Sequence, residues 1–282
     1  MKKTSKNTDL VILAGLSQEF GRPEFVLGGG GNSSCKDTET LWIKPSGTTL
    51  ASLGPDGFIA MDRAALAHVY EMTPPSDATA REALVQRVMA GAVKPGFAGR
   101  ASVEAPVHNA YRARFVVHTH PTLANGLACS LGGAEAARRL FPEALWIAYV
   151  DPGYRLGMEV RRALEKYRQR HGREPALTWL ENHGVIVAAD AADDVRATYH
   201  DLMRVLEDTY TRAGLLEKCR AAVAAPRELC LERCRELLGR AFGGEAAVIL
   251  ADAPAPCAAG ALSPDHLVYA RAFAYEGVLE VA

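Results

Sequence analysis

Two histidines, His118 and His120, have the spacing that points most directly to chemistry. They lie in the apolar run 115–120, which is followed by Pro121, a pattern that predicts a strand. Residues two apart on a strand project to the same face, roughly 6–7 Å from one another. One metal ion bridges imidazoles at that separation, and a catalytic zinc site needs three protein ligands with one open position. The pair therefore predicts a metal site that needs a third ligand from elsewhere.

His183 and Glu104 are the candidates that complete such a site. His183 stands between Asn182 and Gly184, where two apolar runs meet, and it is the predicted third ligand. Glu104 begins a predicted helix ahead of the histidine strand. A carboxylate beside a divalent metal moves a proton on and off carbon when its surroundings tune its pKa. The alternative for Glu104 is an acid at a helix start that only interacts favourably with the helix dipole. The alternative for the Asn-His-Gly segment is a turn that binds no metal.

Turns of small residues supply candidate anion-binding groups. The glycines of residues 28–31 are predicted to form a loop, continuing through Asn32, whose backbone approaches a ligand. Residues 46–48 and Ser102 add backbone N–H groups and hydroxyls that suit an anion such as phosphate. These glycines match neither G-x-x-x-x-G-K-S/T nor a G-x-G-x-x-G that opens a helix after a strand, which argues against a nucleotide ligand.

Helices and strands alternate along the chain and must position these residues. Helical patterns cover residues 10–20, 78–93, 104–112, 125–140, 156–170, 192–213 and 226–242. Strand patterns cover residues 40–44, 115–120, 145–150, 176–180, 185–189 and 246–250. The alternation predicts an α/β or α+β class with a layered sheet. We predict one main domain at 1–225 and a small C-terminal extension at 226–282.

Five motifs, taken in chain order, resemble those of the class II aldolase/adducin family. They are Gly31-Asn32-Ser33, Pro45-Ser46-Gly47, Ser102-Val103-Glu104, His118-Thr119-His120 and Asn182-His183-Gly184. The resemblance covers residues 10–215, and the ordered set is far more specific than any single motif. Within the family the chain is most similar to sugar-phosphate aldolases, including the aldolase half of bifunctional rhamnulose-phosphate aldolase/dehydrogenases. Those proteins have a segment similar to residues 262–266 after the aldolase domain.

The resemblance implies a structure and a set of site residues. The implied fold is a three-layer α/β/α arrangement around a mixed sheet, in a homotetramer whose active sites lie at subunit interfaces. The implied zinc ligands, or ligands of another divalent metal, are His118, His120 and His183. The implied acid/base is Glu104. The implied groups around the substrate phosphate are Asn32, Ser46, Gly47 and Ser102.

Two positions depart from the aldolase pattern. Val103 stands where those aldolases often have a second phosphate-binding serine. No tyrosine occurs at residues 139–141, where fuculose-phosphate aldolase contributes one from a neighbouring subunit. Tyr149 and Tyr154 are the candidate substitutes, with a buried core tyrosine as the alternative for each.

The expected activity is reversible retro-aldol cleavage of a ketose 1-phosphate to dihydroxyacetone phosphate and a small aldehyde. A metal held by three neutral imidazoles keeps its charge and stabilises the enediolate that forms when the carbon–carbon bond breaks. The same family contains sugar-phosphate 4-epimerases, dehydratases and decarboxylases, and these are the alternatives. An adducin-like binding module without catalysis is the third expectation, disfavoured because a scaffold has no need for three converging imidazoles.

Composition and charge limit the kinds of partner and the cell compartment that we expect for this protein. The chain has 282 residues, of which 49% are hydrophobic and 23% charged, and its net charge is −1. This balance argues against disorder and against a general attraction to nucleic acid or to an anionic membrane. The six cysteines are irregularly spaced and are predicted to be reduced thiols, and no stretch has the length of a membrane span. We therefore expect a cytoplasmic protein whose partners are a small sugar phosphate and further copies of itself.

Overall fold

The structure is a computed structural model that describes the backbone of residues 2–215 and the side chains of residues 8–215. Three sequence predictions lie outside the described residues: the helix at 226–242, the strand at 246–250 and the extension at 226–282. The domain boundary after residue 225 therefore stays a prediction. The first compact unit, Met1–Met203, contains all of the candidate site residues.

The described residues form helices and strands in alternation. The helices are α1 Lys2–Phe20, α2 Arg63–Ala67, α3 Ala78–Gly91, α4 Ala105–Ala110, α5 Thr122–Ala128, α6 Gly133–Leu140, α7 Tyr154–His171 and α8 Ala192–Arg212. The strands are β1 Asn32–Lys36, β2 Thr40–Ile43, β3 Ile59–Asp62, β4 Phe115–Thr119, β5 Leu145–Ile147, β6 Leu177–Leu180 and β7 Gly184–Ala189. Among these helices, none combines the length and apolarity that a membrane crossing requires.

The strands form one mixed sheet in the order β3-β2-β1-β4-β7-β6-β5. Neighbouring strands are antiparallel except for the parallel pair β5 and β6 at one edge. On one face Val116 joins a core cluster with buried side chains of α4 and α7. On the other face Val117 accepts a hydrogen bond from Tyr199 of α8, which stacks on Phe20 of α1. Helices thus cover both faces, and the predicted three-layer α/β/α fold is confirmed.

Strand β1 differs from the expectation of a loop that continues through Asn32. The loop ends at Gly31, and Asn32 begins a buried strand between β2 and β4. Its serines are buried because each has a partner on an adjacent helix. The Ser33 hydroxyl lies 2.7 Å from the hydroxyl of Ser17, and the Ser34 hydroxyl lies 2.7 Å from Nδ1 of His108. Polar residues are tolerated inside a sheet when they are paired in this way.

Other elements also differ from the sequence predictions. The helix predicted over residues 125–140 is divided into α5 and α6, because Gly132 has a φ of 77° and a Cβ on Gly133 would lie 2.2 Å from the carbonyl oxygen of Leu127. Helix α1 begins at Lys2, eight residues earlier than predicted. Strand β3 was not predicted, and it is held by its antiparallel pairing with β2.

Lys36, at the end of β1, gives a prediction about stability and pH. The residue is 5% exposed, and its Nζ donates to the carbonyl of Ala113 at 2.8 Å. Burial, reinforced by repulsion from Arg63, lowers the pKa of Lys36 from 10.5 to about 7. The unfolded chain therefore binds more protons than the folded chain between about pH 7 and 10.5, and stability contributed at this residue rises with pH in that window.

We expect Lys36→Met to remove this dependence and to raise the free energy of unfolding near pH 7, by an amount on the order of a few kcal/mol. Urea unfolding of the wild-type chain and the variant between pH 6.5 and 10 measures the difference. Lys166→Met, at an exposed position of α7, is the control, and its curve should run parallel to that of the wild type. A Lys36→Met curve that also runs parallel would show that Lys36 titrates normally.

Candidate active site

The rings of His118, in β4, and His120, directly after β4, lie close together at the end of this central strand. The Nε2 atoms of His118 and His120 are 2.9 Å apart. His118 is buried, and its Nδ1 lies 2.9 Å from the carbonyl oxygen of Val185 on β7. Because a carbonyl oxygen only accepts, Nδ1 of His118 carries a proton, and Nε2 is the ring atom that faces the other histidines. The backbone N–H of His120 donates to the carbonyl of Phe25 at 2.8 Å, which fixes the strand end against the segment that precedes the glycine loop.

His183 reaches the same point from the turn between β6 and β7. Its backbone N–H donates to the carbonyl of Leu180 at 3.1 Å, which closes the turn. Asn182 has a φ of 54° in this turn, a conformation that asparagine tolerates better than most residues. The Nε2 of His183 lies 3.1 Å from that of His118. Burial, with neighbouring His118 and His120, holds the pKa of His183 well below its ordinary value, so that the ring is neutral.

Gly184 lets the histidines approach one another. A Cβ at this position would lie 2.5 Å from the carbonyl oxygen of Thr119 and 2.6 Å from Cδ2 of His120. We expect Gly184→Ala to displace the His120 ring and to weaken metal binding by about 10- to 100-fold, as the loss of a supporting contact does at metal sites. Titration with a competing chelator measures this affinity.

The control is Gly91→Ala at the end of α3, where a Cβ meets no atom within 4 Å. Circular dichroism of both variants establishes that each is folded. Unchanged metal affinity in folded Gly184→Ala would show that the close approach of Gly184 does not position the ligands.

Glu104 precedes α4 as its N-cap residue and faces the histidines. Its Oε1 lies 3.3 Å from Nε2 of His118 and 3.5 Å from Nε2 of His183. Its Oε2 accepts a hydrogen bond of 3.2 Å from the amide of Asn32. Burial raises the pKa of Glu104, but attraction to His118 with its hydrogen bond, and then to His183 and His108, outweighs it, so that the pKa lies well below its ordinary value. The carboxylate is therefore the charged partner of the imidazole cluster.

The donor set fits a divalent metal. The candidate ligand atoms of His118, His120 and His183 lie within 4.8 Å of one another. The two shortest Nε2 separations, 2.9 and 3.1 Å, are close to the edge of about 3.3 Å in a tetrahedron with bonds of 2.0–2.1 Å from zinc to nitrogen. Neutral imidazoles are ligands for zinc and for several other divalent ions. Three converging lone pairs beside a carboxylate therefore suit a site of catalytic type.

The predicted phosphate-binding residues form two groups. The amide of Asn32 donates to Oγ of Ser102, which also accepts from the backbone N–H of Glu104 at 3.2 Å. Ser46 and Gly47 lie on an exposed turn. The backbone N–H of Ser46 already donates to the carbonyl of Arg100 at 2.8 Å, so only its hydroxyl is available to a ligand. This bond ties the turn to the segment that leads into Ser102.

Lys44 is a residue that the sequence did not single out. It follows β2, is 3% exposed, and its Nζ donates to the carbonyl of Gly29 in the glycine loop at 3.2 Å. Burial lowers its pKa, while the charge of Glu104 acts in the opposite direction. Its carbonyl accepts from the backbone N–H of Ser102 at 3.3 Å. A buried ammonium thus lies in the wall of the site, and its position before the Pro45-Ser46-Gly47 turn was the one clue in the sequence.

The two candidate tyrosines differ in their surroundings. Tyr154 is partly buried against the core cluster that includes Leu66 and Val85. Tyr149 is 53% exposed, and its hydroxyl donates to Asp151 at 3.3 Å. Of the two, Tyr149 is the one whose ring is open to solvent.

Comparison with known protein families decides the relationship of the chain. Residues 12–210 match the family described as the class II aldolase and adducin N-terminal domain. This chain belongs to the class II aldolase and adducin family. The match includes all five motifs and every strand of the sheet. No curated protein matches the sequence significantly.

Solved structures show the same fold as this class II aldolase/adducin chain. The N-terminal class II aldolase domain of a conserved Thermoplasma acidophilum protein aligns with a TM-score of 0.60 and 20% identity, covering 70% of this chain and 91% of that one. YgbL of Klebsiella pneumoniae, described as a putative aldolase/epimerase/decarboxylase, aligns with a TM-score of 0.51 and 16% identity, over 73% and 90% of the two chains. An aldolase II superfamily protein of Pseudomonas syringae gives 0.53 and 14%, over 80% and 84%.

Proposed function

We propose that the chain is a metal-dependent lyase that cleaves a ketose 1-phosphate reversibly to dihydroxyacetone phosphate and a small aldehyde. One observation carries the proposal: the Glu104 carboxylate lies 3.3 and 3.5 Å from two of three converging imidazole Nε2 atoms. This arrangement places a base next to any substrate oxygen that a metal at the histidines would hold. Membership in the class II aldolase and adducin family supports the choice of carbon–carbon bond cleavage.

A zinc ion, or another divalent metal held by His118, His120 and His183, would supply Lewis-acid stabilisation of the negative charge that develops on the substrate oxygens. Glu104 exchanges the proton at carbon. In the cleavage direction the bonding electron pair stays on the carbon next to the carbonyl, the Glu104 carboxylate takes up a proton from solvent, and Glu104 delivers that proton to this carbon and returns to the carboxylate. The aldehyde leaves as its hydroxyl proton passes to solvent. Asn32 holds the carboxyl group in place through its bond to Oε2.

For the substrate phosphate we propose Asn32, Ser46, Gly47 and Ser102, joined by Lys44. The hydroxyl of Ser102 and the amide of Asn32 are already in contact, and the buried ammonium of Lys44 supplies a positive charge that phosphate requires. Val103 stands where sugar-phosphate aldolases often have a second phosphate-binding serine, so this group has one hydroxyl fewer. We propose that the positive charge of Lys44 compensates for the missing hydroxyl in binding the phosphate.

We also propose that the lyase acts as a homo-oligomer, with four copies as the family resemblance implies, in the cytoplasm. Large apolar side chains are exposed close in sequence to the site motifs. Leu27 before the glycine loop is 61% exposed, and Leu131 after α5 is fully exposed. Exposed apolar side chains of this size mark protein interaction surfaces when they are adjacent. Sedimentation of the full chain measures the assembly.

An assay panel tests the proposed reaction. The purified chain is incubated with ketose 1-phosphates of different stereochemistry, and released dihydroxyacetone phosphate is measured with a coupled reduction. Release from at least one member of the panel is the expected result. Inversion at one carbon without release would identify a 4-epimerase, and loss of water or carbon dioxide would identify a dehydratase or decarboxylase; each of these outcomes contradicts the lyase proposal.

A further inference from the structure

A cavity of about 420 Å³ lies between α3 and the segment 99–103, and none of the three clustered histidines lines it. We infer that it is a second binding site, for a small molecule that combines an apolar body with one acidic group. The volume is in the range of small-molecule sites. This inference concerns a ligand other than the substrate of the proposed lyase.

The lining of the cavity combines an apolar surface with two cationic groups. Met89, Ala90 and Val93 contribute from α3 and the residues after it, and Ala101 and Val103 contribute from the facing segment. Such a surface favours the apolar part of a ligand. The cationic groups are the guanidinium groups of two further lining residues, Arg87 and Arg100.

These two arginines have no ion-pair partner among the described residues, unlike most arginines within residues 8–215. Arg139, Arg155 and Arg162, for example, each lie within 3.5 Å of a carboxylate. A guanidinium prefers a carboxylate, with which it forms paired charge-assisted hydrogen bonds. Two guanidinium groups on one apolar cavity, neither paired with a carboxylate of residues 8–215, therefore favour an acidic ligand over a neutral or cationic one.

The segment that separates the cavity from the candidate active site has one side toward each. The side chain of Ser102 contacts Asn32 on the side of the histidines, whereas the next side chain, Val103, lines the cavity. Val103 is 39% exposed for this reason. The departure from the aldolase pattern at Val103 thus gives the cavity an apolar wall. The cavity and the metal ligands share a wall but no lining residue.

Octanoate is the probe for this site, with 1-octanol and acetate as matched comparisons. Octanol has the same chain without the charge, and acetate has the charge without the chain. Titration of the full chain by calorimetry, with ligand-observed NMR, measures each dissociation constant. Because a charge-assisted hydrogen bond is lost with octanol, we expect octanoate to bind about tenfold tighter than octanol. Octanoate binding should be the same after the metal is removed by a chelator.

Variants assign the binding to the cavity. Arg87→Gln and Arg100→Gln should each weaken octanoate binding about tenfold, whereas Arg138→Gln, at an exposed arginine of α6 outside the cavity, should not. Ala90→Phe fills the cavity from an exposed helix position and should weaken binding of octanoate and octanol alike. Equal binding of octanoate and octanol, or equal effects of Arg87→Gln and Arg138→Gln, would overturn the inference. A change in oligomeric mass in Ala90→Phe would also overturn it, because the cavity would then be a contact between copies of the chain.

Discussion

Replacing His118 by alanine is expected to abolish stoichiometric metal binding and to lower lyase activity by at least about 1,000-fold. His118 lies between the other two imidazoles, with its Nε2 at 2.9 Å from His120 and 3.1 Å from His183. Its loss leaves two nitrogens where three are needed. Lewis-acid stabilisation contributes several kcal/mol to a transition state, and each 1.36 kcal/mol corresponds to tenfold in rate. Metal content after dialysis and the initial rate measure the two losses.

Two further variants keep this prediction testable if the buried His118→Ala chain is unstable. His120 is partly exposed, so His120→Ala leaves a smaller buried cavity and should lose metal and activity in the same way. His200→Ala, at an exposed position of α8, should retain both. A folded His120→Ala chain that keeps one metal per chain and full activity would show that the histidine cluster is not the catalytic metal site.

Changing Glu104 to glutamine is expected to leave metal bound while the turnover number falls by roughly 100- to 10,000-fold, the usual contribution of a general acid or base. Glutamine has the shape of glutamate but cannot exchange the proton at carbon. Metal binding and turnover should respond differently because the three imidazoles converge on one point without any contribution from the carboxylate. Metal content and steady-state kinetics of the same preparation provide the comparison.

The control for this variant is Glu135→Gln on α6, where the carboxylate is exposed and contacts Arg139 on the same helix. It should have wild-type kinetics. The assignment of Glu104 as acid/base fails if Glu104→Gln, with its metal bound, retains more than about a tenth of the wild-type turnover, since a general acid or base contributes more than that.

The sequence predicted the parts of the site that depend on local geometry. The two-residue period of a strand put His118 and His120 on one face, and their Nε2 atoms lie 2.9 Å apart although His120 follows the last residue of β4. A helix start was predicted at Glu104, which is the N-cap residue of α4. The turn at Asn182 followed from the polar residues between two apolar runs. Each of these features is set by a few neighbouring residues, and a single sequence is sufficient to predict it.

The parts that escaped prediction depend on residues far apart in the chain. Asn32 was expected in a loop, since an Asn-Ser-Ser run has little strand propensity, but pairing with β2 and β4 makes it the first residue of β1. A lysine at a strand end is ordinarily solvated, and Lys44 is buried because the glycine loop and the Ser102 segment contact it. Lys36, the last residue of β1, is also buried, and its Nζ donates a hydrogen bond to the carbonyl of Ala113.

A requirement for a divalent metal held by His118, His120 and His183 in carbon–carbon bond cleavage is the central part of the proposed function. Its most direct test is removal and return of the metal with one preparation of the full chain. The protein is stripped with a chelator, titrated with zinc, and assayed at each step for dihydroxyacetone phosphate release from the active ketose 1-phosphate. We expect release to disappear on stripping and to return in proportion to zinc, reaching its plateau at one equivalent per chain. Release that persists in the stripped protein would contradict it.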